Sequence, residues 1–199
     1  MEHRYAPEGL DLTDAGQVTD RLQTRLADLI DLSLTLKHVH WNVVGWGFMS
    51  MHKLMDEQTD TVRVLVDEMA ERISSLGGVA AGLTSQVADN RTSDGDYSLG
   101  RGDVVAHLGA LDKVYSRVCM GHRDVLTEVG DLDPVSEDLI ISQLRALELN
   151  HWFVRAHLEN IDGRLPTEGS QSELAAAEAA VLAPLPGEEP SKELEGQPA

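Results

Sequence analysis

Between positions 38 and 72, His40, His52, Asp56, Asp67 and Glu71, all able to ligate a metal, stand among apolar residues. His52 and Asp56 are four residues apart, and Asp67 and Glu71 repeat the interval, so each pair shares a helix face. From Asp56 to Asp67 is about three turns, which brings all four onto nearly one stripe. Imidazole nitrogen with carboxylate oxygen is a donor set suited to Fe(II), Mn(II) or Zn(II). On a straight helix, however, His52 and Asp67 lie about 22 Å apart, too far to share one ion. Two copies of the helix resolve this. Packed antiparallel about a two-fold near residues 61 and 62, His52 and Asp56 of one chain face Asp67 and Glu71 of the other, giving two equivalent sites per dimer. His40, at the end of the preceding helix, completes the half-site that contains His52. The competing reading is a solvated polar stripe on an ordinary bundle, and spacing alone leaves both open.

Such side chains need long helices to carry them, and the apolar spacing supplies four. Val18, Leu22, Leu26, Leu29, Ile30, Leu34 and Leu36 recur at helical intervals and predict a first helix over 14–41. NVVGWG interrupts it, and a second helix over 48–76 runs up to Gly77-Gly78. The stretch VAAGLTSQVADNRTSDGDYSLGRG is turn-rich, with room for one short helix. A third helix over 102–129 carries Val104, Val105, Leu108, Leu111, Val114, Tyr115, Val118 and Leu126 and ends at Gly130. Asp133 as N-cap and Pro134 as first helical residue open a fourth over 134–161, closed by Gly163. Four helices of about 28 residues joined by one long central crossover, between the second and third, describe an all-α, ferritin-like four-helix bundle. Residues 1–13 read as an N-terminal arm, 14–163 as the bundle and 164–199 as an acidic, flexible tail. Within that tail, SELAAAEAAVL has the composition of a short helix able to dock.

The chain of 199 residues has a formal net charge of −18, with 42% apolar but only 4% aromatic residues. That composition builds a core of Leu, Val and Ala, better suited to helices than to a β-sandwich. A polyanion attracts cations and is a poor partner for duplex DNA unless basic residues are segregated. The single cysteine, Cys119, permits neither an intrachain disulfide nor a thiolate metal cage. No apolar secretory core is visible near the N-terminus, and no window approaches a membrane span. The expected setting is a reducing cytoplasm, with no membrane partner. Bundles with an intrachain di-iron centre use two Glu-x-x-His motifs. Only one is present, Glu148 to His151, so Glu148 and His151 read as surface or interface residues. His38, His107, His122 and His157 have no partner at ligand spacing.

The segment HVHWNVVGWGFMSMHKLMDEQTDTVRVLVDEMAER resembles the Dps family, the DNA-binding proteins from starved cells, also called mini-ferritins. His40-Trp41-Asn42, His52 followed by Asp56, and Asp67 followed by Ala70-Glu71-Arg72 stand in the family's order and at its intervals. YSRVCMGHRDVLTEVGDLDPVSEDLIISQLRALELNHWFVRAHLENI resembles the family's third and fourth helices, so the likeness spans residues 14–162. It implies a hollow homododecameric shell with ferroxidase centres at dimer interfaces. His40, His52 and Asp56 would come from one subunit, Asp67 and Glu71 from its two-fold mate. Iron would be bound there as Fe(II), oxidised preferably by hydrogen peroxide and kept inside as ferric mineral, protecting the cell against oxidative stress. Trp41, beside a ligand, would pack at the centre and secondarily quench radicals.

The resemblance also implies acidic iron pores on three-fold axes near the start of the fourth helix, where Asp133 and Asp138 stand with Asp131 and Glu137 nearby. N-capping explains Asp133 equally well, and the helix dipole favours acids in a first turn. Because ligation needs neutral imidazole, iron uptake is expected to weaken below about pH 6. DNA binding in the family usually depends on basic termini. Here the first 17 residues hold one basic residue, Arg4, and the stretch after Gly163 only Arg164 and Lys192, so binding is expected to be weak or absent. The alternatives are a nucleoid-associated protein that coats DNA and binds iron secondarily, and a helical assembly protein without redox chemistry.

Overall fold

The computed structural model describes residues 5–183. Helix α1 spans Leu12–Asn42, beginning where Asp11 accepts hydrogen bonds from the Thr13 and Asp14 amides. Val18, Leu22, Leu26, Leu29, Leu32, Leu36 and Val39 form its buried stripe. A short extended segment, β1 (Val43–Val44), follows. The chain then turns through Gly45 and Gly47, both at positive φ, the region in which glycine alone is unstrained. Helix α2, Phe48–Ser75, runs back against α1. It stops at Gly77, another positive-φ glycine, and Gly78 follows, where a Cβ would stand 2.7 Å from Thr19 of α1.

The crossover that follows is pinned along its length. It contains α3 (Thr84–Asn90). Beyond α3, the Thr92 amide and hydroxyl both donate to the buried Asp28 of α1, at 2.7 and 2.8 Å, and Arg91 reaches Asp31 at 2.6 Å. Strand β2 (Gly102–Asp103) pairs in parallel with β1, Val43 opposite Gly102. Asp103 then caps α4, Val104–Val129. Tyr97 and His107 join at 3.0 Å, and His38 meets the Leu99 carbonyl at 2.8 Å. The last turn of α1 is thereby fastened to the end of the crossover.

Helix α5, Pro134–Ala156, pairs with α4 and completes the four-helix bundle. It ends five residues before the 161 expected from the sequence. The reason is local: the Asn160 side chain accepts from the amides of Asp162 and Arg164, an Asx turn that competes with further helix. The stretch expected as a tail carries helix α6, Glu173–Leu182, capped by Ser172. This is the short docking helix read in SELAAAEAAVL, and α4 is where it docks. The two approach at Gly109, where a Cβ would lie 2.5 Å from the Ala176 carbonyl oxygen and 2.8 Å from the Ala180 Cβ. Glu173 further accepts from the Ser98 amide at 2.9 Å and from Arg117. The acidic stretch after residue 183 and the first four residues of the arm lie outside the described residues.

Candidate metal centre

His40 lies in the last turn of α1 and His52 in the first turns of α2, so the α1–α2 turn folds one against the other. Their rings stack with centroids 3.6 Å apart and planes 21° apart. Each also holds the other's backbone. His40 Nδ1 meets the His52 carbonyl at 2.8 Å, and His52 Nδ1 meets the His40 carbonyl at 3.0 Å. A carbonyl oxygen only accepts, so both Nδ1 atoms carry the proton and both Nε2 lone pairs are left for a ligand. His40 is 8% exposed, which fixes one of the two rings firmly. Phe48 leans on His52, with ring centroids 5.0 Å apart.

Asp56 comes round one turn after His52. One donor atom each from His40, His52 and Asp56 falls within 4.8 Å of the others. This is the only such cluster among the described residues. The Asp56 carboxylate is already partnered by a cation. Lys37 Nζ lies 2.7 Å from its Oδ1; that hydrogen bond, with the nearby imidazoles, holds the carboxyl below the usual carboxylate range. Lys37 also stands 5.8 Å over the Trp41 ring. The lysine was not singled out in the sequence, although its place one turn before His40 and Trp41 puts it on their side of α1.

Asp67 and Glu71 are not brought to this cluster. They remain exposed farther along the same face of α2. Large apolar side chains near the cluster in sequence are exposed: Trp41 at 71%, Trp46 at 98% and Met49 at 56%. Large apolar side chains left this exposed mark interaction surfaces when they are contiguous.

Among the residues near the start of α5, Asp133 is buried. It caps the helix through the Val135 and Ser136 amides and pairs with Arg72 of α2. Burial alone would raise its pKa, but the hydrogen bonds from Ser136 and Arg72 outweigh it and hold the carboxyl low. Asp138 is exposed.

The lone Glu-x-x-His motif is placed differently from the surface reading. Glu148 pairs with Arg123 at the surface, but His151 is buried at 6% exposure. Its Nε2 lies 2.7 Å from Asp112, which also accepts from Arg155 and Thr167, each at 2.7 Å. Burial opposes the charge on Asp112, yet these three donors keep its carboxyl far below the usual range. Asp112 is an inward position of α4 whose apolar neighbours gave no sign of it. Beside this group, Tyr115 donates to Gln58 at 2.8 Å and stacks on His151. Inside the bundle, His151, Asp112, Thr167, Tyr115 and Gln58 thus satisfy one another's polar atoms.

Comparison with known proteins identifies the family of this fold. The profile of the Ferritin-like domain family matches residues 19–163. The chain is 47% identical over 172 residues to the DNA protection during starvation protein of Mycolicibacterium smegmatis, covering 86% of this chain and 93% of that one. Among solved structures, it is similar to DpsA14 from Streptomyces coelicolor, with a TM-score of 0.81 and 50% identity over 83% of this chain and 98% of that one. It is also similar to Mycobacterium smegmatis Dps, with a TM-score of 0.82 and 46% identity over 86% and 97% of the two chains.

Proposed function

The chain belongs to the ferritin-like family, in its Dps branch, and from that premise we propose that it is a ferroxidase and iron-storage protein whose active site is shared between two subunits. The observation that carries the reading is the cluster of His40, His52 and Asp56, with both Nε2 lone pairs left free by reciprocal backbone hydrogen bonds. The partner's Asp67 and Glu71 complete the ligand set when two α2 helices lie antiparallel across a two-fold. Fe(II) is the substrate. Anionic oxygen donors stabilise Fe(III) over Fe(II) and so favour electron loss. Two Fe(II) supply the two electrons that reduce one hydrogen peroxide, which with two protons leaves as two waters. Few protein ligands per iron leave positions open for the oxidant. Consuming Fe(II) and peroxide together withholds both reactants of hydroxyl-radical formation.

Twelve subunits enclose the ferric mineral. Asp138 is the carboxylate available to line an iron pore, since the Asp133 oxygens are engaged by the helix cap and Arg72. Trp41 covers the centre once the partner is in place. The net charge of −18 disfavours duplex DNA as a partner at physiological salt. No helix of the described residues is long and apolar enough to cross a membrane, in keeping with a proposed place in the cytoplasm.

The test is anaerobic addition of Fe(II), then hydrogen peroxide, with ferric absorbance followed in the parent and in the His52→Ala, Asp67→Ala double variant. Rapid oxidation to soluble ferric product in the parent, reduced by a hundredfold or so in a variant that still assembles, is the expected result. Equal rates would remove the α2 cluster from the chemistry.

A further inference from the structure

The exposed stripe of α2 contains more than ligands. His52, Asp56, Asp60, Arg63, Asp67 and Glu71 follow one another at intervals of four, four, three, four and four. That spacing reads the same in both directions, with its centre between residues 61 and 62. A helix face with this symmetry is self-complementary about a two-fold axis through that point. In that register His52 meets the partner's Glu71, and Asp56 meets the partner's Asp67. The second of these pairs brings two carboxylates together, with Lys37 on Asp56 offsetting part of their repulsion. The remaining pair, closest to the axis, is Asp60 with the partner's Arg63, and it occurs twice by symmetry.

Both residues are exposed. Within the protomer neither has a hydrogen-bond or ion-pair partner among the described residues, although Asp60 and Arg63 are close enough in sequence to have formed one. Other charges of the same helix are engaged: Asp56 with Lys37, and Arg72 with Asp133. We propose that Asp60 and Arg63 form reciprocal ion pairs with a second copy of this chain, and that these pairs set the register that brings the two halves of the metal centre together. The inference rests on the shared-site reading and deepens it. It supplies a metal-independent attraction that holds the dimer against the repulsion of Asp56 and the partner's Asp67 before iron arrives. A one-turn slip towards the C-terminus would set Asp56 opposite the partner's Glu71 and Asp60 opposite the partner's Asp67, and these like charges disfavour that register.

Two charge reversals test this. In D60R alone the stripe presents two cations at the axis, and in R63D alone two anions, so each is expected to raise the dissociation constant of the two-fold dimer by tenfold or more, roughly. A D60R chain facing an R63D chain restores both pairs. Mixing the two variants is therefore expected to restore assembly, read by sedimentation velocity across a dilution series, with circular dichroism confirming folded helices. If either reversal disturbs the helix, the neutral D60N/R63Q chain replaces it, with a roughly threefold weaker dimer expected. Single variants as tightly assembled as the parent, folded variants that fail to rescue each other, or an unweakened neutral chain would each overturn the proposal. Iron oxidation by the mixed assembly is measured separately. Assembly restored without oxidation keeps the register and removes the ferroxidase reading; oxidation by unassembled chains removes the shared site.

Discussion

At the scale of single residues, histidine serves two opposite purposes in this chain. His40 and His52 engage Nδ1 with backbone carbonyls, which leaves Nε2 as the lone-pair nitrogen of each ring, the one a ligand role would use. His122 is a core residue. It is fully buried, with Nδ1 against the Val118 carbonyl at 3.0 Å. Gln143 of α5 and the buried Arg25 of α1 face it, the latter in space that Gly121 leaves open. Burial, reinforced by the Arg25 charge, pushes its pKa down to about 4. The folded chain therefore refuses a proton that the unfolded chain accepts near 6.5. Stability from this group is complete above pH 6.5 and is lost as pH falls from there towards 4. The loss between pH 7 and pH 5 amounts to roughly 2 kcal/mol per chain. Urea unfolding of His122→Gln at fixed protein concentration should show a pH dependence shallower by about that amount. Identical pH dependence in parent and variant would mean that the imidazole is not held neutral by the core.

At the scale of elements, α6 is fastened by shape and by charge. Its alanines lie against Gly109, and Glu173 ties it to the crossover and to Arg117. Gly109→Val places new atoms where the Ala176 carbonyl and the Ala180 methyl already stand. Overpacking of that kind costs about 1–3 kcal/mol. Because α6 is an appended helix, the cost is expected to appear as its release. Hydrogen exchange of residues 173–182 should accelerate while the four bundle helices keep their protection. Unchanged exchange would show that α6 is not held at Gly109.

The four bundle helices were legible in the sequence because one long apolar stripe identifies each of them, and glycine or a capping aspartate marks the ends. That His40, His52 and Asp56 come together was legible from type and spacing. Three things were not. The end of α5 depends on an Asx turn at Asn160, which competes with a helical pattern that continues past it. The burial of Asp112 and His151 depends on partners from α5 and the segment beyond it meeting α4, which no local window contains. Lys37 reaches Asp56 only because α1 and α2 fold together, and its sequence neighbours give no hint of that contact.

At the scale of the whole molecule, one protomer brings together His40, His52 and Asp56 but not Asp67 and Glu71, and its α2 helix carries a charge stripe with two-fold spacing. On the proposed reading, the docking of a second copy in antiparallel register supplies what the protomer lacks. The most direct measurement is complementation between two inactive chains. His52→Ala and Asp67→Ala variants, each assembled alone, should both oxidise Fe(II) slowly with peroxide. In a mixed dimer, the intact His52 of one chain meets the intact Asp67 of the other, so one site of the two is whole. With random mixing in a co-assembled preparation, about a quarter of the parent's sites, and of its oxidation rate, should return. No recovery in mixed assemblies of correct size would contradict a centre shared between subunits.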